Sequence, residues 1–147
     1  MASVNLIILD DERPTPPTKT GPIDTKDVID VHDWIERRRF FPRIASIQDW
    51  PNPEYTKRCM RFLQDHKVIT FKRVKQGGVQ PVGMLCTDYP GLSTVYREII
   101  GTARGLTRDE IAHHLGSTCE DLQPALDKLL DMNVVWLHES TQYYSSL

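Results

Sequence analysis

The chain has few cysteines, no long apolar run and almost no net charge, and each shortage narrows what it can be. Its three cysteines, Cys59, Cys86 and Cys119, are odd in number, widely spaced and without a Cys-x-x-Cys pair. This argues against a disulfide framework and against a thiolate zinc cluster, and leaves reduced, buried or half-buried thiols as the expectation. No apolar stretch approaches the ~20 residues that a membrane-spanning helix needs. The opening Met-Ala-Ser-Val lacks the basic-then-apolar layout of a secretory signal. The expected location is therefore the cytoplasm, or the nucleus in a eukaryotic cell, with no membrane partner. Hydrophobic residues are 39% of the 147, fewer than in an average globular chain. That supply can form one medium domain or two small ones, and two cores would each be thin.

Catalytic and metal-binding frames are missing as well. The sequence has no nucleophile elbow, no phosphate-binding glycine loop, no His-Glu-x-x-His and no recognisable carboxylate pair. Gly77-Gly78 reads as a hairpin turn. The adjacent His113 and His114 would point roughly 100° apart on a helix and have no third or fourth ligand at useful spacing. The expectation is a protein that is not an enzyme and takes no cofactor and no metal. Cys119 falls near a helix start, where a thiol pKa can be lowered, and is a candidate redox sensor on that ground.

What the chain does have is charge segregation. The net charge of −2 is the sum of three unlike parts. Residues 1–30 hold three basic and six acidic side chains, residues 31–90 eleven and six, and residues 91–147 four and eight. A net of +5 in the middle between −3 and −4 points to different partners for different segments.

Along the chain, an apolar run around Leu6 and Ile8 reads as a short strand, and four prolines between Arg13 and Pro22 make the next stretch an extended linker. Residues 1–23 thus form an arm able to pair with a sheet edge in this chain or in a second copy. Asp24 or Thr25 can cap a helix to about Arg39, with Val28, Val31, Trp34 and Ile35 inward. A short helix is expected over 44–49 and a third from Pro53 to about His66. Tyr55, Cys59, Phe62, Leu63 and His66 fall on one face of that third helix. Strands over 68–74 and 79–85, joined at the paired glycines, form a hairpin. The same order then recurs. A helix over 92–103 has Val95, Ile99 and Ile100 inward, and Arg104-Gly105-Leu106 can add a short strand. Thr107 with Glu110 makes a capping box for a helix to Leu115 that Gly116 ends. Ser117 with Glu120, or Thr118 with Asp121, caps a helix to about Met132 with Leu122, Ala125, Leu126, Leu129 and Leu130 as its stripe. A last hairpin spans 134–147.

The segment GLTRDEIAHHLGSTCEDLQPALDKLLDMNVVW, residues 105–136, resembles the helix-turn-helix of MarR-like regulators. Its Thr opens a helix, an Ile-Ala pair packs inside, a Gly makes the turn and leucines lead into a wing. PEYTKRCMRFLQDHKVITFKRVKQGGVQPVGML, residues 53–85, resembles the same winged-helix superfamily more loosely. In the first module the region of the second helix is short and bounded by prolines, and the second module lacks positive charge. The resemblance implies an α+β, mainly helical fold of tandem winged helix-turn-helix modules, 24–88 basic and 89–147 acidic, behind the arm at 1–23. It also implies DNA-associated or regulatory proteins as the general class.

In winged helices the third helix enters the major groove and the wing touches the backbone. The candidate nucleic-acid contacts are therefore Arg37, Arg38, Arg39 and Arg43 at the end of the first helix, Lys57, Arg58 and Arg61 on the third, and Lys72, Arg73 and Lys75 on the wing. Phosphate contact is the commoner role of such cations, and Arg58 or Arg61 could read guanine edges. DNA is the first expectation and RNA the second. In the second module the corresponding helix exposes Glu120, Asp121, Gln123, Asp127 and Asp131, which would repel phosphates. That module and residues 1–9 are expected to hold a protein partner or a second copy as a homodimer, with Leu6, Ile8, Trp136, Tyr143 and Tyr144 as contacts. Packing of the wing on its own helix is the competing role for the three aromatics. The alternative for the whole chain is a protein-binding adaptor or inhibitor, of the kind phages encode, with winged helices as scaffolds.

Overall fold

The structure, a computed structural model, describes residues 21–37, 53–75 and 81–146, with backbone alone at 73–75 and 81–84. The protein is α+β and mainly helical, with five helices and two small antiparallel sheets among the described residues. None of those helices is long and apolar enough to cross a membrane. The chain divides into two compact units, the first ending at Asp88 and the second starting at Tyr89. Residues 1–20 with Leu6 and Ile8, the short helix expected over 44–49, and Arg38, Arg39 and Arg43 all lie outside the described residues.

Unit 1 is built from α1 (Thr25–Arg37), α2 (Pro53–Asp65) and the hairpin β1 (Ile69–Lys75) with β2 (Pro81–Thr87). Val28, Val31, Trp34 and Ile35 recur at helical spacing, and each is at most 2% exposed, so one stripe of α1 forms the core. Tyr55, Cys59 and Leu63 supply the α2 side. The buried face of α2 also takes in Thr56 and Met60, whereas Phe62 and His66 are half-buried and stack on each other at 4.3 Å. The inward stripe is thus rotated from the one expected of Phe62 and His66. Tyr55 joins the two helices. Its hydroxyl donates to Asp27 Oδ2 at 2.6 Å and accepts the Asp24 amide at 3.0 Å.

The strands pair from Ile69 with Thr87 to Lys75 with Pro81. The second strand therefore extends to Thr87, past the expected end at Leu85. Asp88 causes the extension. Its amide donates to the Val68 carbonyl at 2.9 Å, and its carboxylate accepts the Thr70 hydroxyl at 2.7 Å. His32, fully buried on α1, has Nε2 2.7 Å from Thr87 Oγ1, which ties α1 to the same end of the hairpin.

Unit 2 runs α3 (Leu92–Ile100), β3 (Leu106–Thr107), α4 (Arg108–Leu115), α5 (Cys119–Asp131), β4 (Val135–His138) and β5 (Tyr143–Ser146). Its sheet has the order β3-β5-β4, both pairings antiparallel. Thr107 Oγ1 accepts the Glu110 amide at 3.2 Å while Glu110 Oε1 accepts the Thr107 amide at 3.0 Å. This reciprocal capping box fixes the start of α4. Gly116, at φ 62°, ends it. Of the two caps open for α5, Thr118 is the one formed, its hydroxyl accepting the Asp121 amide at 3.1 Å. Leu122, Ala125, Leu126 and Leu129 are buried, and Leu130 is only half-buried. The first helix of this unit stops at Ile100 rather than Ala103: past the Gly101 cap the Thr102 amide turns to the Ile99 carbonyl, three residues back, at 3.4 Å, and the α-helical ladder ends. Ile100, expected inward, is 44% exposed.

The last long helix of each unit ends in the same way. Lys67 (φ 61°) and Asn133 (φ 59°) sit in the left-handed region. The Val68 amide reaches back to Leu63 and the Val134 amide to Leu129, while Lys67 bonds Gln64 and Asn133 bonds Leu130. These paired bonds make a Schellman turn that satisfies the terminal carbonyls and starts the following strand.

Candidate nucleic-acid interface

On α2, residues 57, 60, 61 and 64 follow helical spacing and share a face beside the hairpin. On β1, side chains alternate between faces, so Ile69 and Phe71 point one way, Thr70 and Lys72 the other. Ile69 is buried and Phe71 is 46% exposed. Phe71 is paired in register with Leu85, which is buried. The result is a cleft of about 270 Å3 lined by Lys57, Met60, Arg61, Gln64, Phe71 and Leu85. Its floor is apolar, one wall carries an open aromatic face, and the other carries two cations and an amide.

The cations are only loosely held. Lys57 Nζ lies 3.6 Å from the carboxylate of Glu54, which is 84% exposed. Arg58 lies over the Tyr55 ring at 5.3 Å, and Arg61 is exposed. Exposed ion pairs are worth about 0–1 kcal/mol, less than one phosphate contact in an arriving polyanion returns through counterion release. Arg37, at the end of α1, pairs with Asp33 at 3.3 Å.

The structure thus groups Lys57 and Arg61 in one cleft, with Arg58 on the same helix. Lys72 is separated from them. It lies on the opposite face of the hairpin, 4.0 Å from Asp88, so the expected single basic surface running from α2 onto the wing is divided at β1. Arg73 and Lys75 are placed by backbone register alone, opposite Gly83 and Pro81.

Phe71, Met60 and Gln64 did not stand out as site residues in the sequence. A partial signal was present: 57, 61 and 64 recur at helical spacing, and Phe71 alternates with Ile69. That α2 and β1 bring these two patterns face to face is a property of the fold.

In unit 2, α5 exposes Glu120, Asp121, Asp127 and Asp131. Arg108 donates to Gln123 Oε1 at 2.7 Å, and Gln123 donates to Asp127 Oδ1 at 2.8 Å. Lys128 is 12% exposed, sits 3.3 Å from Asp131 and lies over Tyr89 at 5.0 Å. On this face Lys128 is tied to a carboxylate and Arg108 to the Gln123 amide, while four carboxylates stand exposed, so a phosphate backbone would meet net negative charge. Among the candidate aromatic contacts, Trp136 is 53% exposed on the outer strand β4, edge-on to His138 at 5.4 Å. Tyr143 is half-buried beneath Arg104, whose guanidinium lies 4.9 Å from the ring centre. Tyr144 is 6% exposed and belongs to the core of its unit. The competing role, wing against helix, is the one the structure gives it.

Cys119 opens α5, but its thiol donates to Asp109 Oδ1 at 3.0 Å. The bond to that carboxylate pushes the thiol pKa up, not down, which removes the basis for a reactive thiolate there. His114 Nδ1 is 2.9 Å from Glu98 Oε2, while His113 is exposed on α4. No group of three metal-ligating side chains occurs among the described residues.

Compared with known proteins, the chain matches no family model, no curated protein and no solved structure.

Proposed function

We propose that this is a non-catalytic nucleic-acid-binding protein of regulatory type, contacting its ligand through α2 and the adjoining hairpin of unit 1. The observation that carries the proposal is the placing of Lys57 and Arg61 around one cleft with the open Phe71 ring. Positive charge beside an exposed aromatic suits a polyanion that also carries flat bases. We further propose winged helix-turn-helix architecture, best supported in unit 2. The element order there is helix, strand, helix, helix and hairpin, with a first strand that pairs to the last. The shared turn at Lys67 and Asn133 supports a related plan in unit 1.

If Lys57, Arg58 and Arg61 each meet a phosphate, log affinity should fall with log salt at a slope of about −2 to −3. Fluorescence anisotropy over a salt series tests this. Lys57→Ala and Arg61→Ala should each weaken binding and reduce the slope by about one, while Lys72→Ala should do less. Alanine variants that bind like the parent chain at every salt concentration would overturn the proposal.

Exposed Trp136 supports a second reading for unit 2. We propose it as the association surface, for a second copy or for a protein partner, because the acidic α5 repels phosphate. Light scattering of the parent chain against Trp136→Ser is the check, with loss of the larger species as the expected result.

A further inference from the structure

We infer that the α2–β1 cleft receives a single unpaired base, so that the favoured ligand is single-stranded nucleic acid rather than intact duplex. The inference rests on the reading of unit 1 as a nucleic-acid binder and names the form of ligand that the site takes.

Three features support it. First, size: at about 270 Å3 the cleft lies just under the range of roughly 300–1,000 Å3 that holds drug-sized ligands, which suits one planar ring system. Second, chemistry: Met60 and Leu85 are buried beneath it, and Phe71 leaves 46% of its surface open. An aromatic on a short two-stranded ribbon, uncovered beside buried aliphatic residues, offers a stacking platform, and every base has a face to lay on it. Gln64 adds an amide at the rim, with one acceptor and two donors for a base edge. Third, charge: Lys57 and Arg61 stand at the same cleft, where they can hold the phosphates on either side of the inserted base. A paired base inside a duplex presents only its edge in a groove and keeps its faces stacked on its neighbours. The open face of Phe71 is then without use.

The test uses the full chain and three labelled DNA probes of one sequence: a single strand, its duplex, and the single strand with one abasic position. The parent chain should bind the single strand tightest and lose affinity on the abasic strand. Phe71→Ala should weaken single-strand binding between about fivefold and a hundredfold, the range that base–aromatic stacking supplies, with the salt slope unchanged and duplex binding little altered. Phe71→Leu, which keeps apolar bulk but lacks the ring, should fail like alanine, and Phe71→Tyr should bind like the parent. Circular dichroism melts of all three variants separate loss of binding from loss of fold. A leucine variant as tight as the parent, or an abasic strand bound as tightly as the complete one, would overturn the inference while leaving salt-dependent binding, and so the proposed function, intact. Displacement of the strand by an oligo-glutamate peptide at equal charge would assign the cleft to an acidic protein segment and overturn it too. Absence of salt-dependent binding to any probe would overturn the proposed function together with this inference.

Discussion

Tyr55 is 2% exposed and keeps its hydroxyl satisfied by two groups on the α1 side, Asp24 and Asp27. Burial, with the bond to Asp27, pushes its pKa up to about 12, and burial does the same to the neighbouring Cys59, also to about 12. Both groups are held in the neutral form by the fold. Their contribution is complete below their ordinary values near 9–10 and is lost as pH rises toward 12. Unit 1 should therefore lose stability across that alkaline window, visible as a falling urea midpoint between pH 9 and pH 12. Tyr55→Phe should cost about 2 kcal/mol at neutral pH, since it removes a charge-assisted bond and leaves a backbone amide without that acceptor, and it should blunt the alkaline loss. Gly105 is the second sensitive position. It sits at φ 88°, and a Cβ there would come within 2.5 Å of the Tyr144 carbonyl oxygen. Gly105→Ala should destabilise the β3–β5 pairing by about 2 kcal/mol or more, read from a thermal melt.

At the scale of elements, local chemistry decided how well the sequence could be read. Helix starts were legible because a cap is a contact between residues three apart. Thr107 with Glu110 and Gly116 could be named from spacing alone. Helix faces were less so. Phe62, Ile100 and Leu130 read as inward because they are apolar, yet which residues of an apolar stripe become covered depends on what packs there. The hairpin's far end escaped because Asp88 bonds Val68 and Thr70, some eighteen to twenty positions back. The α4 capping box also carries a pH signature. The Arg104 guanidinium, followed by the Thr107 amide, holds the Glu110 carboxyl below its ordinary range. Its contribution is present above that range and lost as pH falls through the lowered value. The acid side of the unit 2 melting curve should be flatter in Glu110→Gln, which can keep the box but does not titrate. Thr107→Ala should cost about 1 kcal/mol at neutral pH.

For the whole molecule, segregation of charge was the clearest message of the sequence, and its distribution over surfaces was the least legible. Counting cations along residues 57–75 suggests one continuous patch, but strand alternation sends Lys72 to the far face of the hairpin from Phe71. The likeness of the two units was partly hidden for a related reason. Lys67 and Asn133 differ in charge and shape, yet both occupy a left-handed turn after a leucine-anchored helix, and few neighbouring residues repeat.

The placing of the tryptophans has a practical consequence. Trp34 is 1% exposed inside unit 1, whereas Trp136 is 53% exposed in unit 2. The third tryptophan, Trp50, lies outside the described residues. In a Trp50→Phe background dissolved iodide should quench Trp136 and spare Trp34, and denaturant should red-shift mainly Trp34. Emission from a single cuvette can therefore follow the melting of one half and the occlusion of the other as two separable optical signals.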